Sequence, residues 1–392
     1  MRQIHILFTT AAAIALLTTS CARTDNSMND SEPISFRPFV GSSATKAIVN
    51  DNVFPTDWTF DVACYTMPTD PLNESVFKEM KAYFPETEVC KEGSVWGFKN
   101  GERYYWPFNG SLSFFAHYPT TAEIQKLKLS TNSFVSTPDA TYLEDYTIKH
   151  TDASGDAIED NASKNDGNLS NASVDFMSSL QIISNIRDRS SNAVELNFGH
   201  ALTQLRFEAV PQENFNIETA DPINTGNKLC NTVGISIIGI ELDNIYSVGT
   251  YRNQAPHWKD QNTLYSYYPL TGTSTPVEFP EVGGQITPTV IRKGDSPLEM
   301  LVIPQNLHSS AAIRVTYTLS QRTERKNASG EVISTLSDYT AIVTKSVNLS
   351  SVTTSWLVNS CVTYTFVISL DDIEVTAEYS GWKNGGEHRP VI

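Results

Sequence analysis

Apolar and polar residues alternate with a period of two in many short runs along this chain. From Val194 to Phe198, Val, Leu and Phe take every second position, and Glu and Asn stand between them. Successive side chains of a β-strand point to opposite faces, so this period is typical of a strand with one buried face. Similar alternation occurs in the runs 58–64, 112–117, 205–209, 233–242, 313–317, 364–370 and 375–379. A chain with this pattern buries its apolar residues in sheets.

The connections between these runs restrict the type of sheet. Parallel strands need crossovers of about a dozen residues or more, usually helices. Helical periodicity occurs in the short stretches 74–83 and 121–129, and most runs are separated by Gly, Pro and Asn turns. This arrangement is typical of antiparallel sandwiches or barrels. The predicted fold class is therefore all-β, with a β-bulge where the alternation changes phase at Ile237-Ile238.

The first twenty residues predict an export signal. Arg2 precedes an apolar run from Ile4 to Leu17, which is too short to span a bilayer as a helix. The run ends in Leu17-Thr18-Thr19-Ser20-Cys21, which resembles the lipobox of bacterial lipoproteins. An ordinary signal peptide with an incidental cysteine is the alternative. We predict cleavage before Cys21, a lipid on its thiol, and anchorage to a membrane rather than passage through it.

The charge of the chain argues against nucleic acid as a partner. Lys and Arg total 28 against 44 Asp and Glu, and removal of residues 1–20 takes away one Arg and no acid. The mature formal charge is then 27 minus 44, or -17. Phosphate backbones are bound by cationic surfaces, which this composition does not favour.

Motifs for catalysis, cofactors or metals are not found in the sequence. The chain has no HExxH, GxSxG, P-loop or CxxC pattern, and its histidines are scattered. The acidic stretch 151–173 does not have the ligand spacing of a Ca²⁺ loop, so we interpret it as a solvated loop. We predict no enzyme, no cofactor and no metal site. Up to two disulfides are possible among Cys64, Cys90, Cys230 and Cys361, and the sequence does not pair them.

Four segments together resemble the fimbrillin-like family of Bacteroidales surface lipoproteins, which are subunits of adhesive pili. They are Tyr105-Trp106-Pro107 with Leu112 to Pro119; Asp175-Phe176-Met177 with Val194 to Leu202; Gly249-Thr250-Tyr251 with Trp258; and Ile303-Pro304-Gln305 ahead of Trp382. The resemblance implies two transthyretin-like antiparallel β-sandwich domains in tandem and no catalytic function. We expect the division 1–20 signal peptide, 21–33 tether, 34–190 N-terminal domain and 191–392 C-terminal domain.

The resemblance also implies a mechanism of assembly. In this family a protease cuts after a basic residue early in the mature chain and removes a first strand, and a strand of the next subunit fills the groove. Here the matching positions are Lys46-Ala47 for the cut, although the family more usually has arginine there. The removable strand would contain Ile34, Phe36, Phe39 and Val40. In stalk subunits of the family the C-terminal strands can become the donor, which here would be the hairpin 362–379.

The partners implied are other pilus subunits, the outer membrane through lipid on Cys21, and a host or bacterial surface ligand. The expected location is the outer membrane and the fimbrium at the cell surface. The alternative function is a permanently lipid-anchored module, either a pilus anchor or a binder of a glycan or host ligand. That alternative requires an intact N-terminus on the cell.

Overall fold

The structure is a computed structural model of the chain. It describes residues 33–41, 54–67, 81–126, 130, 135–136, 141–147, 150–151, 157–158, 175–183, 185–252, 257–279 and 285–382. No helix within these ranges is both long and apolar enough to cross a membrane.

Strands make up nearly all of the regular structure. In the first half of the chain they are β1 (Ser35–Val40), β2 (Phe60–Met67), β3 (Lys81–Glu92), β4 (Val95–Phe98), β5 (Ser111–Tyr118), β6 (Val135–Ser136), β7 (Thr141–Thr147), β8 (His150–Thr151), β9 (Ala157–Ile158), β10 (Met177–Ile183) and β11 (Ala193–His200), with one helix, α1 (Thr121–Lys126), among the described residues. The second half contains β12 (Thr203–Pro211), β13 (Ile217–Ala220), β14 (Lys228–Arg252), β15 (Trp258–Leu270), β16 (Thr275–Pro276), β17 (Thr289–Val290), β18 (Arg292–Lys293), β19 (Ser296–Pro297), β20 (Glu299–Val302), β21 (Ala312–Lys326), β22 (Val332–Asn348), β23 (Ser360–Ile368) and β24 (Ile373–Gly381). Short 3₁₀ turns lie at Ile186–Asp188 and Leu349–Ser351.

The first sheet closes on itself in the order β1, β11, β10, β5, β2, β3, β4. Most neighbours are antiparallel, but β1 runs parallel to β11. The interior is rich in aromatic rings, which include Phe54, Phe60, Phe84, Phe98, Phe114 and Phe198. This first core is therefore enclosed by a single closed sheet, and β1 is one of the strands that close it.

Two further sheets, built mainly from the second half of the chain, share one core. A five-stranded sheet has the order β17, β12, β23, β24, with β20 also paired to β12. An eight-stranded sheet has the order β22, β21, β14, β7, β6, with β13, β15 and β16 also paired to β14. Inward side chains of both sheets belong to one cluster, for example Phe207 and Phe366 from the first and Ile235 and Tyr317 from the second. Two sheets that bury one core between them form a β-sandwich.

The all-β fold class is confirmed, and so are three finer predictions. The pairing of β14 with β21 shifts register between Ile237 and Gly239, where the bulge was predicted. Strands β23 and β24 form the predicted antiparallel hairpin. Helix α1 covers 121–126 of the stretch 121–129, and residues 127–129 lie outside the described residues.

The helix predicted over 74–83 is wrong for residues 81–83, the part of it that the structure describes. Residues 81–83 begin β3, which pairs with β2 at Tyr65↔Ala82 and Cys64↔Phe84. Residues 74–80 lie outside the described residues. The helical spacing of a short apolar run was overridden by tertiary pairing, because Phe84 completes the aromatic core of the closed sheet.

The first and second cores meet near residues 198–201. Strand β11 begins at Ala193 and completes the first sheet, and the first core ends at Phe198. The second core includes Ala201 and most inward residues that follow it. Strand β7 comes from the first half of the chain but pairs with β14 in the eight-stranded sheet. The division into two domains stays a prediction.

Candidate functional site

Strand β1 occupies a slot in the closed sheet between β11 and β4. It pairs with β11 in parallel register over six residues, from Ser35↔Ala193 to Val40↔Phe198. On its other side the pairing with β4 is limited to Phe36↔Trp96. The two neighbours therefore hold β1 unequally, with β11 as the main partner.

Every second side chain of this segment points into the first core. Ile34, Phe36 and Val40 are 2%, 3% and 4% exposed, and Pro38 between them is buried as well. Phe39 is half-buried, because it is one residue out of phase with this set. Of the residues proposed for the removable strand, three thus face the core and one does not. Sequence reasoning missed Pro38, although it continues the alternation from Ile34.

Phe36 makes the densest contacts of the strand. Its ring lies 5.3 Å from Phe98, 6.2 Å from Phe60 and 6.4 Å from Phe114, each edge to face. Such pairs are favourable beyond the apolar area that they bury, by about 0.5–1.5 kcal/mol each. Phe36 is therefore the anchor of β1 in the slot.

The backbone hydrogen bonds of β1 alternate between its two sides. The N–H groups of Ser35 and Gly41 donate to the β11 side, at 3.3 Å to Asn192 O and 2.9 Å to Phe198 O. The N–H of Ile34 donates to the other side, at 2.8 Å to Tyr104 O. By the same alternation Pro38 faces the β4 side, beyond the Phe36↔Trp96 pair. Its missing N–H therefore costs no bond to β11.

The outer face of β1 contributes little to its binding. Arg37 pairs with Glu195 at 3.0 Å, but both side chains are more than half exposed, at 64% and 60%. Exposed ion pairs are worth about 0–1 kcal/mol. Burial of Ile34, Phe36 and Val40 stabilises the sheet by about 5–9 kcal/mol. The apolar side chains, and not the charges, hold the strand.

Removal of β1 would uncover both an apolar groove and a backbone edge. Val194, Leu196 and Phe198 of β11 and Trp96 of β4 are buried in the same core as Phe36. Their uncovered edge amides and carbonyls would be a template for another strand. The slot therefore suits a strand with apolar side chains at every second position.

The C-terminal hairpin lies at the edge of the five-stranded sheet. Among the described strands, β24 hydrogen-bonds to β23, over nine residue pairs. Ile373 and Val375 are buried, while Tyr379 at the far end is 39% exposed. This strand has the alternation that the slot requires, and residues 383–392 after it lie outside the described residues.

Three predicted site residues, Cys21, Lys46 and Ala47, lie outside the described residues, and Lys46-Ala47 falls in the range 42–53 that follows β1. Lipidation at Cys21 and cleavage after Lys46 stay predictions.

The four cysteines that the structure describes are free: Cys64, Cys90, Cys230 and Cys361. Cys64 and Cys361 are fully buried, and burial raises the pKa of both thiols. They act as small apolar side chains in the two halves of the molecule.

Two histidines are buried in polar surroundings. His200 Nδ1 lies 3.0 Å from Asp175 Oδ1, and its ring stacks on Trp382 at 3.9 Å. His117 lies with Asp61 and Glu86, and this is the group within the described residues that could hold a metal ion. Asp61, Glu86 and His117 belong to β2, β3 and β5, and not to the strands that flank β1.

Comparisons with known proteins give the following matches. The profile of a family described as fimbrillin-like matches residues 45–382. The comparison with curated proteins found no match. A fimbrial protein from Bacteroides vulgatus is 14% identical, with a TM-score of 0.55, and the match covers 89% of this chain and 100% of that one.

Two further structures are more distant. A putative cell adhesion protein from Bacteroides ovatus is 12% identical with a TM-score of 0.43, covering 91% of this chain and 99% of that one. Another, from Bacteroides uniformis, is 12% identical with a TM-score of 0.41, covering 91% and 100%. The Bacteroides vulgatus protein alone among these three is similar enough to support a statement about the fold, and it supports the all-β architecture.

Proposed function

Since the chain belongs to the fimbrillin-like family, we propose that it is a structural, non-enzymatic subunit of a cell-surface pilus that assembles by exchange of its first strand. The observation that carries the proposal is the burial of β1. Ile34, Phe36, Pro38 and Val40 face the first core, and the strand ends six residues before the predicted cut after Lys46. A strand in this position can be removed by one cut and replaced by another chain.

The predicted lipid attachment site and β1 both precede the predicted cut site in the sequence. Cys21 would carry the lipid that attaches the precursor to the outer membrane. A cut between Lys46 and Ala47 would separate residues 21–46 from the rest, and this fragment contains both the lipid and β1. One proteolytic step would then release the subunit from the membrane and open its groove.

Energetics supports replacement rather than simple loss of β1. Loss of the strand would forfeit about 5–9 kcal/mol of apolar burial, a large part of the roughly 5–15 kcal/mol that stabilises a typical domain. A donor strand with alternating apolar residues would restore that burial. The edge strand β24, with Ile373, Val375, Ala377 and Tyr379 on alternate positions, supports the C-terminal hairpin as the donor.

The test compares the precursor with a protein that has been cut after Lys46. A recognition sequence for a site-specific protease is placed in residues 42–46 of the full-length chain, and mass is followed by analytical ultracentrifugation. We expect the intact precursor to be monomeric and the cut protein to form polymers. The matched control carries the same insertion in a scrambled order and stays uncut. Cut protein that remains monomeric at high concentration would refute the assembly mechanism.

A permanently anchored binding module is the second candidate, and a cleft favours it. A cavity of about 340 Å³ lies beside β10 and β14, lined by Ser178, His200, Tyr251, His257 and Asn359 among others. These polar and aromatic side chains suit a small polar ligand such as a sugar. N-terminal sequencing of the protein from cells distinguishes the two functions. Acylated Cys21 supports the anchored module, and a free Ala47 supports the exchanged subunit.

A further inference from the structure

Three metal-ligating side chains meet on the outer face of the first sheet. Asp61 of β2, Glu86 of β3 and His117 of β5 each offer one ligand atom, and these atoms all lie within 4.8 Å of one another. Strand β2 lies between the other two, and Asp61 is directly opposite His117 in the β2–β5 pairing. Glu86 shares a sheet face with Glu88, the partner of Asp61 in β3. The cluster is thus fixed by sheet register and not by mobile loops.

The imidazole of His117 is held in the orientation of a metal ligand. Its Nδ1 lies 2.8 Å from the carbonyl oxygen of Pro119, so Nδ1 carries a proton and donates it there. Nε2 then points at Glu86 Oε2, at 3.4 Å. Metal-binding histidines almost always donate the other ring N–H to a carbonyl or carboxylate, which fixes the tautomer.

Each carboxylate is also held by a donor outside the cluster. The backbone N–H of Thr121 donates to Asp61 Oδ2 at 2.7 Å, and the Thr121 hydroxyl donates to Glu86 Oε1 at 2.5 Å. These bonds position the carboxylates and leave Glu86 Oε2 directed at His117. The same residue, Thr121, begins α1.

Asp61 and Glu86 share a largely buried position with the His117 ring. The His117 side chain is 1% exposed, and Asp61 is 6% exposed. The Glu86 side chain is 23% exposed, which leaves a route from solvent. A divalent cation would offset the repulsion between the two carboxylates and the cost of burying them.

We propose that Asp61, Glu86 and His117 form a binding site for Zn²⁺. Zinc takes imidazole and carboxylate ligands at about 2.0–2.2 Å in a tetrahedron, which places ligand atoms about 3.3 Å apart. The Nε2 to Oε2 distance of 3.4 Å fits that spacing. A water molecule would complete the four ligands. The ion would connect β2, β3 and β5, and through Thr121 it would fix α1 against the sheet.

Zinc binding by the full-length protein in detergent tests this site. Isothermal titration calorimetry with Zn²⁺ is expected to give one saturable site per chain. Even the loss of a residue that only hydrogen-bonds to a metal ligand weakens metal binding by about 10–100-fold, so His117→Gln and Glu86→Gln should each weaken it at least about tenfold. His200→Gln is the matched control, because His200 is also buried beside a carboxylate but has no third ligand within the described residues. It should bind like the wild type.

X-ray absorption at the zinc edge identifies the ligands directly. We expect a first shell of nitrogen and oxygen with one imidazole, and no sulfur. Circular dichroism establishes that each variant is folded, and Glu86→Gln serves if His117→Gln does not fold. The proposal is overturned by the absence of saturable binding, by unchanged binding in folded Glu86→Gln, by sulfur in the first shell, or by Ca²⁺ binding of equal affinity.

Discussion

Phe36 and Phe39 show how much the position of one residue in a strand matters. Both are phenylalanines of β1, three residues apart, and so they point to opposite faces. Phe36 is 3% exposed and contacts three other phenylalanine rings. Phe39 is half-buried on the other face. A phenylalanine at position 36 therefore contributes more to the stability of the first core than one at position 39.

We expect Phe36→Ala to destabilise the precursor by about 3–5 kcal/mol, because it removes a buried ring and leaves a cavity. Phe39→Ala is the matched control and should cost less than about 1 kcal/mol. Urea unfolding monitored by fluorescence gives both values. Equal losses for the two variants would mean that β1 does not hold the orientation described here.

Asp221 stabilises the turn that follows β13. Its Oδ1 accepts the N–H of Ile223 at 2.9 Å, and its Oδ2 accepts donors from Asn224 at 3.0 Å and Arg325 at 2.6 Å. These bonds, with the Ile223 N–H first, lower the pKa of Asp221 to about 2. The ionised form is thus favoured in the folded protein.

Asp221 should make stability depend on pH at the acid end. A carboxyl whose folded pKa is below its unfolded value of about 3.9 stabilises the protein above that pH. The contribution is lost as the pH falls toward about 2. We expect Asp221→Asn to lower Tm at neutral pH and the difference from wild type to shrink below about pH 4. Thermal unfolding at several pH values measures it, and a difference that is constant with pH would contradict this account.

At the scale of elements, the alternation predicts strands but not their partners. The run 34–40 was recognised as a strand suited to a core, and the structure places it there. Its parallel pairing with β11, more than 150 residues away in sequence, has no local signal.

Helix α1 is different, because its start is encoded locally. Thr120 and Glu123 form a capping box, in which the Thr120 N–H donates to the Glu123 carboxylate and the Glu123 N–H donates to the Thr120 hydroxyl.

A disulfide between β1 and β11 should block strand exchange. Arg37 and Glu195 are directly opposite in the register and face solvent, so the double variant Arg37→Cys/Glu195→Cys can bridge them without disturbing the core. In the cut protein we expect no polymer under oxidising conditions and polymer after reduction, measured by ultracentrifugation. The single variant Arg37→Cys is the control. Polymer formation by the oxidised double variant would show that β1 need not leave.

At the scale of the whole molecule, one strand connects the two cores. Every residue of β5 is buried, and adjacent residues point in opposite directions. Phe114 belongs to the first core and Phe115 to the second. The first sheet also contacts the eight-stranded sheet through a hydrogen bond between the hydroxyl groups of Ser178 in β10 and Tyr251 in β14, at 2.5 Å. Loss of one core would therefore expose part of the other.

We expect the precursor to unfold in one main calorimetric transition, because β5 is shared by both cores. Phe115→Ala should lower the free energy of unfolding by about 3–5 kcal/mol and weaken the coupling. Leu180→Ala, at an exposed position on the neighbouring strand β10, is the control and should change stability by no more than about 0.5 kcal/mol. Two well-separated transitions in the wild type would contradict this coupling.

The sequence by itself determined many of the strands, because a period of two depends only on neighbouring residues. It therefore predicted the all-β class, the bulge at Ile237-Ile238, the C-terminal hairpin and the apolar face of β1. Only the tertiary structure decided which strands pair, that Pro38 faces the core while Phe39 does not, and that Lys81 to Tyr83 are extended. It also brought Asp61, Glu86 and His117 together. Each of these three is unremarkable in its own run, and no spacing motif links them, because contacts between distant strands arise from sheet register and burial in the folded chain.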